Sequence, residues 1–251
     1  MVYQAIAPIY DRIMAHVRYD EWAALINKVI RKYSAVPRPS IFELGAGTGR
    51  LAAELIGQGL DYTGSDASFS MCLEARRRTG RFVCADARNL PVRRRFDLVL
   101  FLYDGINYLM SVAEYRRVFE EVHALLRDGG LFLFDITTQE NSRRHFNEFI
   151  DFEDFDAYYY IRRSWFNEAD RTQHNEFTVF KRVREDPPLF DKRREHHVQT
   201  VMPAETLRDA VPARLFEVVG MWDGFSFSRC HRRSERVHFL LRRKPGLAGG
   251  L

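Results

Sequence analysis

The stretch Ser40-Ile41-Phe42-Glu43-Leu44-Gly45-Ala46-Gly47-Thr48-Gly49-Arg50 constrains the fold of this chain more than any other. An apolar start reads as a short buried strand, glycine then recurs at every second position, and Leu51, Ala52, Leu55 and Ile56 follow at helical spacing. A strand that passes through such a turn into a helix is the opening unit of an open α/β sheet. The loop then lies at the carboxyl end of the first strand, where such sheets hold ligands. Glycine reaches positive φ and has no side chain to hold a ligand off, so the backbone can pass close beneath a bound molecule. A tight strand-to-helix turn uses glycine as well, and the loop alone does not choose between the two.

Spacing separates two classes of cofactor. A dinucleotide loop reads GxGxxG, and its third glycine would fall where this chain has Arg50. The pattern here is Glu43-x-Gly45-x-Gly47-x-Gly49. That resembles motif I of the class I S-adenosylmethionine-dependent methyltransferases, in which an acidic residue stands two before the first glycine. The resemblance implies that Glu43, Gly45, Ala46, Gly47, Thr48 and Gly49 line S-adenosylmethionine and, after transfer, S-adenosylhomocysteine.

The downstream spacing agrees. Asp61 to Asp66 reads as a second short strand that ends in an acid 17 positions after Gly49. A carboxylate there can accept both ribose hydroxyls of an adenosine, each hydrogen bond to a charged group contributing about 1.5 to 3 kcal/mol. Asp66 could instead cap the helix that follows, a role open to Ser68 too. A third strand, Arg81 to Cys84, leads to Asp86-Ala87-Arg88, which is similar to the family's adenine-contacting segment, where the acid accepts the exocyclic amine. By the same resemblance Ala67 borders the cofactor and Met71 covers the adenine face, although Met71 also suits plain packing of a helix on the sheet. The fourth strand, Phe96 to Phe101, is apolar almost throughout, as a strand covered on both faces should be. It runs into Leu102 to Leu109, which resembles the family's loop against the methionine half of the cofactor, with Phe101 and Asp104 as its candidates.

Taken in order, residues 1–37 read as a helical cap. Tyr3-x6-Tyr10-Asp11-x7-Tyr19-x2-Trp22 is similar to the N-terminal cap of small-molecule methyltransferases, from which tyrosines approach the methionine end; Tyr10 and Tyr19 are the candidates. Amphipathic packing of the two rings accounts for them equally. A helix over Val112 to Leu126 is expected to end in the turn Arg127-Asp128-Gly129-Gly130 before a fifth strand, Leu131 to Ile136. The next residues change character. Two runs rich in aromatic and β-branched residues, Tyr158 to Phe166 and Glu176 to Val183, flank the polar turn Asn167 to Arg171, and Arg193 to Val201 can join them. Residues 148–201 therefore read as an inserted antiparallel β-sheet. A helix from Pro203 to Val211 and strands at Phe216 to Met221 and Glu235 to Arg242 complete the chain. The expected fold class is α/β, with residues 38–147 and 202–244 forming a mostly parallel, seven-stranded Rossmann-like sheet with helices on both faces. Residues 245–251 read as a flexible tail.

Composition bounds the rest. With 46% hydrophobic residues the chain can bury a sizeable core. It has no apolar run long enough to span a bilayer and no basic-then-apolar leader, so the expectation is a cytoplasmic enzyme without a membrane partner. Cys72, Cys84 and Cys230 have no metal-site or disulfide spacing and are expected to be buried free thiols, with no metal. Arginine runs are answered by acids, 38 basic against 34 acidic residues, so nucleic acid is not the expected partner.

A sulfonium carries its own electrophilic methyl group, so what the resemblance implies is alignment of a nucleophile and exclusion of water. The expected reaction is methyl transfer to an N or O atom of a small-molecule acceptor. If a base assists, Tyr10, His196 and His197 are the candidates. The two histidines are neighbours on an extended run and point to opposite faces, so at most one meets the pocket. Two alternatives stay open: methylation of RNA or protein, and a non-catalytic module that binds an adenosine ligand or forms a homodimer through the inserted sheet.

Overall fold

In the computed structural model, residues 2–245 are described. A 3₁₀ turn, Ala7–Ile9, runs into α1 (Tyr10–Ile13), and α2 (Tyr19–Tyr33) follows. Trp22, Ile26, Val29 and Ile30 bury one stripe of α2, while Asp20 and Glu21 at its start and Arg31 and Lys32 at its end suit the helix dipole. The chain then alternates β1 (Ser40–Glu43), α3 (Arg50–Gly57), β2 (Asp61–Asp66), α4 (Phe69–Ala75), β3 (Phe82–Cys84), β4 (Phe96–Phe101), α5 (Val112–Leu125) and β5 (Leu126–Thr137). After α6 (Gln139–His145) come β6 (Phe149–Phe155), β7 (Tyr158–Asn167), β8 (Thr172–Arg184) and β9 (Leu189–Thr200). The last elements are α7 (Ala204–Ala210), β10 (Phe216–Asp223), β11 (Ser228–Arg229) and β12 (Arg236–Arg243).

The main sheet has the order β11-β10-β12-β5-β4-β1-β2-β3. β1 lies parallel to both β2 and β4, and β12 enters antiparallel between β5 and β10. Seven strands match the expected α/β class, and the two-residue β11 is an eighth at the edge. Period-two alternation divides the core. Ile41, Leu98, Leu100 and Leu133 point to the face covered by α2 and α3. Their neighbours Phe42, Val99, Phe101 and Phe134 point to the other face, with Val118 and Phe119 of α5 and Leu207 of α7.

The second sheet, β6-β7-β8-β9, is antiparallel throughout. Its register sets Tyr160 against Val179, Phe177 against Glu195 and Asn175 against His197. One face is therefore apolar at one end, where Tyr160, Phe177 and Val179 pack with Ile6, Ile9 and Ile13. Along the same face Gln173, Asn175, His197 and Gln199 are polar yet buried.

Local differences from expectation have local causes. α5 stops at Leu125 and Leu126 is already extended, because Leu126 is buried opposite Phe96, and Arg127 pairs with Asp97 at 2.8 Å. Gly129, at φ +74°, lets the strand bend there instead of ending the helix. α6 carries no apolar periodicity and starts on the Thr138 side chain, which accepts the Asn141 amide. Of the three thiols only Cys72 is buried; Cys84 is exposed and Cys230 half-buried, since β3 and the segment after β11 lie at the margins of the sheet. Pro245 is the last described residue, and the rest of the expected tail, 246–251, lies outside the described residues.

Candidate active site

Strand order reverses between β1 and β4, so the loops that leave them diverge and open a crevice at the carboxyl edge of the sheet. A cavity of about 360 Å³ fills it. Gly45, Gly47, Asp66, Ala67, Met71, Asp86, Ala87, Arg88, Phe101 and Tyr10 line it, ten of the residues singled out from the sequence. Gly45 and Gly47 stand at φ +61° and +56°. A Cβ on Gly45 would come 3.0 Å from the Phe101 ring, so a side chain there would press on a residue that lines the cavity. Gly49 serves packing instead: it is buried outside the cavity, and a Cβ there would meet Ala75 of α4 at 3.4 Å.

Asp66 is fixed by the backbone. Its Oδ2 accepts the Gly47 amide at 2.9 Å and its Oδ1 the Ser68 amide at 2.8 Å. A carboxylate has about four acceptor positions, so roughly two remain for a ribose diol. Burial pushes the Asp66 carboxyl above its usual range, against the two amides. The helix cap belongs to Ser68, whose Oγ accepts the Met71 amide at 3.4 Å. Beyond β3, Asp86 accepts Arg88 through the amide at 2.8 Å and Nε at 2.9 Å, and the same guanidinium also pairs with Glu114. The hydrogen bonds from Arg88 hold Asp86 below the ordinary carboxylate range. Arg88 therefore presents a cation already matched by two acids.

Tyr19, Glu43, Ala46 and Thr48 border an adjoining recess of about 50 Å³, beside Arg50, Tyr10 and Tyr103. None of these four borders the larger cavity, although Gly45, Gly47, Tyr10 and Tyr103 border both spaces; the Ala46 amide is spent on Ser65 O at 2.8 Å and the Thr48 hydroxyl on Asp11 at 2.5 Å. Glu43 is buried and accepts the Tyr62 hydroxyl; desolvation raises its carboxyl to about 7 although that hydrogen bond opposes the shift. The Arg50 guanidinium lies 4.9 Å over the Tyr19 ring.

On the far side of Tyr3, Tyr10, Tyr103 and Tyr108, which line both spaces, is a second cavity of about 330 Å³. The cap supplies Ile6, Ile13 and His16; α6 supplies Asn141 and His145; the inserted sheet supplies Arg162, Gln173, Asn175, Phe177, His197 and Gln199. Asp104 belongs here rather than to the first cavity, since Arg236 at 2.9 Å and Gln199 at 2.7 Å claim its carboxylate. Burial pushes Asp104 and Asp135 up, and Arg236, bridging both, pulls against it. His197 is buried against the cavity. His196 is excluded as its base, because strand alternation turns it to the outer face, exposed, 3.0 Å from His174 and stacked on Trp165.

Tyr3, Tyr103, Tyr108, Arg50, Glu195 and Gln199 were not among the expected site residues. Glu195, His197 and Gln199 share one strand face at two-residue spacing, a pattern that reading His196 and His197 as a pair conceals. Tyr3 and Tyr103 sit in irregular segments and Tyr108 ends the short 3₁₀ turn Gly105–Tyr108, where periodicity says nothing.

Residues 41–130 match the methyltransferase domain family. A Geobacillus sp. (strain WCH70) protein assigned to the methyltransferases is 27% identical over 97% of this chain and all of its own length. The fold is similar to that of an S-adenosylmethionine-dependent methyltransferase from Clostridium acetobutylicum, with a TM-score of 0.79, 24% identity and coverage of 98% of this chain and 100% of that one. It is also similar to the sugar N-methyltransferase KedS8 from a Streptoalloteichus species, with a TM-score of 0.75, 21% identity and coverage of 94% and 93%. With the Glu43 to Gly49 loop, the Asp66 carboxylate at the end of β2 and this strand order, the chain carries a methyltransferase domain over residues 41–130 and has the fold of the S-adenosylmethionine-dependent methyltransferases, with an antiparallel sheet inserted before the closing strands.

Proposed function

We propose that this enzyme methylates an N or O atom of a small polar molecule held in the second cavity. The observation that carries the reading is the shared wall: Tyr3, Tyr10, Tyr103 and Tyr108 border both large cavities, so a methyl group at the end of one faces an acceptor in the other. S-adenosylmethionine supplies a methyl group made electrophilic by its sulfonium. The protein then has to orient the acceptor and exclude water, and orientation of this kind lowers a barrier by about 7 to 11 kcal/mol. Aromatic faces around the gate attract a cation by roughly 0.5 to 2 kcal/mol.

Amides, two guanidinium groups, a carboxylate and imidazoles line the second cavity, which suits a compact ligand rich in hydrogen-bonding groups. The likeness to a sugar N-methyltransferase supports the same class. Both the cap and the inserted sheet contribute walls to the space, which supports a small molecule over a folded RNA or protein as the acceptor. Asp66 is assigned the ribose, Met71 and the Asp86 segment the adenine, and Arg50 with Tyr19 the amino-acid end.

Calorimetric titration with S-adenosylmethionine, S-adenosylhomocysteine and NAD should rank the sulfonium and its product first. A labelled-methyl screen over primary amines and hydroxyl compounds, amino sugars included, should then find an acceptor. Transfer to RNA or protein with none to any small molecule would sink the reading.

A further inference from the structure

Four side chains form an unbroken hydrogen-bonded path from the inserted sheet to the wall between the two cavities. Glu195 Oε2 lies 3.2 Å from His197 Nε2, His197 Nδ1 lies 3.0 Å from the Tyr108 hydroxyl, and that hydroxyl lies 2.6 Å from the hydroxyl of Tyr3. Glu195 and His197 are 8% and 1% exposed, so the path is dry at that end. Glu195 and His197 face the same way because they are two residues apart on β9. Tyr3 and Tyr108 border both cavities.

We propose that Tyr3 takes the acceptor's proton during methyl transfer and that Tyr108, His197 and Glu195 carry it away and hold it. The proposal rests on the small-molecule reading above. Its direction follows from the carboxylate end. An ionised carboxylate only accepts, so His197 keeps its proton on Nε2 and Nδ1 must accept. The Tyr108 hydroxyl therefore donates to His197, and its oxygen accepts from Tyr3. Tyr3 is left with an oxygen lone pair at the cavity wall. As the acceptor's lone pair forms the new bond to carbon, the carbon–sulfur bond breaks with its electron pair going to sulfur. The acceptor proton moves to Tyr3, the Tyr3 proton to Tyr108 and the Tyr108 proton to His197. The imidazolium so formed lies beside Glu195.

Ionisation of Glu195 fits this role: burial works to raise its carboxyl, and the His197 imidazole and the Ala5 amide outweigh it and hold it below its ordinary value. Burial raises both tyrosines, so each is a neutral hydroxyl that passes a proton on. The first turn of the chain is built around the same point. Tyr3 stands at φ +63°, a costly conformation for a tyrosine, with its carbonyl accepting the Ser68 hydroxyl at 3.3 Å. The Ala5 amide is bonded to Glu195 itself. The cap thus delivers the receiving hydroxyl and, through Glu195, holds the far end.

Tyr3 is the catalytic residue in this scheme, and Tyr108, His197 and Glu195 are positioning residues. The other ionisable groups facing the path are Asp104 with Arg236, Arg162, His16, His145 and Asp66, besides the hydroxyls of Tyr10 and Tyr103. Because these could also shape a pH profile, the test pairs kinetics with direct observation of His197. Nitrogen NMR of the full chain with bound S-adenosylhomocysteine should show a neutral His197 protonated on Nε2; a proton on Nδ1 overturns the direction of the path. With an acceptor from the screen above, Tyr3→Phe and His197→Gln should each lower kcat on the order of 100-fold. Affinity for S-adenosylhomocysteine should stay within about threefold, as in a variant that has lost proton transfer but not cofactor binding. Full kcat in both variants overturns the proposal. A wild-type chain that binds cofactor and methylates no small molecule overturns the acceptor reading instead, and the tautomer seen by NMR then supports or overturns the path by itself.

Discussion

Asp66 accepts the amide of Gly47 at 2.9 Å, so the end of β2 is tied to the glycine loop after β1 before any ligand arrives. The ribose proposed for Asp66 would share the carboxylate with this anchor. Asp66→Ala removes the proposed ribose acceptors and the anchor of the loop together, and should weaken S-adenosylmethionine by about 2 to 4 kcal/mol, roughly 30- to 1000-fold in Kd. Asp66→Asn keeps one acceptor oxygen and should lose less. Ser68, not Asp66, caps α4, so the melting temperature should change little in either variant. Titration calorimetry with thermal melting decides this: a large fall in melting temperature with unchanged affinity would show a purely structural carboxylate.

Glu43 makes stability depend on pH. Its folded value of about 7 lies above the ordinary 4.5, chiefly through desolvation. The native state thus binds this proton more tightly than the unfolded chain. The resulting stability is fully present below the unfolded value and is lost as pH rises through about 7, with a ceiling of about 3 kcal/mol. Glu43→Gln cannot ionise and can still accept the Tyr62 hydroxyl. The ligand-free variant should melt higher than wild type at pH 8 and close to it at pH 5. A difference of the same size at both pH values would remove Glu43 as the source.

The parts of the site that a sequence reveals are those fixed by backbone chemistry. Gly45 and Gly47 are legible because positive φ and an absent Cβ admit few other residues, and Asp66 because the next strand must end there. Strand alternation likewise foretold that His196 and His197 would part. It could not tell which would face inward, since that depends on Phe177 and Val179 of the neighbouring strand packing on the cap. Asp104 sits in a loop that resembles a cofactor loop, yet Arg236, far away in sequence, claims its carboxylate. Tyr3 lies in a segment without periodicity, and its place is set by contacts to Ser68 and Tyr108 that only the folded chain brings together.

Arg50 stands where a dinucleotide loop would have its last glycine, and it borders the small recess beside Tyr10 and Tyr19. A guanidinium there suits the carboxylate of the cofactor's amino-acid end, a charge-assisted contact of about 1.5 to 3 kcal/mol. Arg50→Met should weaken S-adenosylmethionine about 10- to 100-fold. 5′-Methylthioadenosine has no amino-acid end, so its affinity should be the same in variant and wild type. Equal losses for both ligands would mean that Arg50 acts through the fold, by its stacking on Tyr19.

Salt separates an enclosed small-molecule site from a nucleic-acid surface. The formal charge is +4, and among the described residues many arginines are already matched: Arg78 by Asp11, Arg81 and Arg94 by Asp61, and Arg88 by Asp86 and Glu114. A guanidinium engaged by a carboxylate has little to offer a phosphate. The second cavity, moreover, meets its ligand with a mixture of acids, bases and amides rather than with one sign of charge. Between 50 and 200 mM salt, KM for the small acceptor should therefore change by less than about threefold. A protein that makes about 6 to 10 phosphate contacts loses roughly a thousandfold or more in affinity over the same range, because each neutralised phosphate releases counterions. Tight RNA binding with that steep dependence, accompanied by methyl transfer to the RNA, would place the acceptor outside the second cavity.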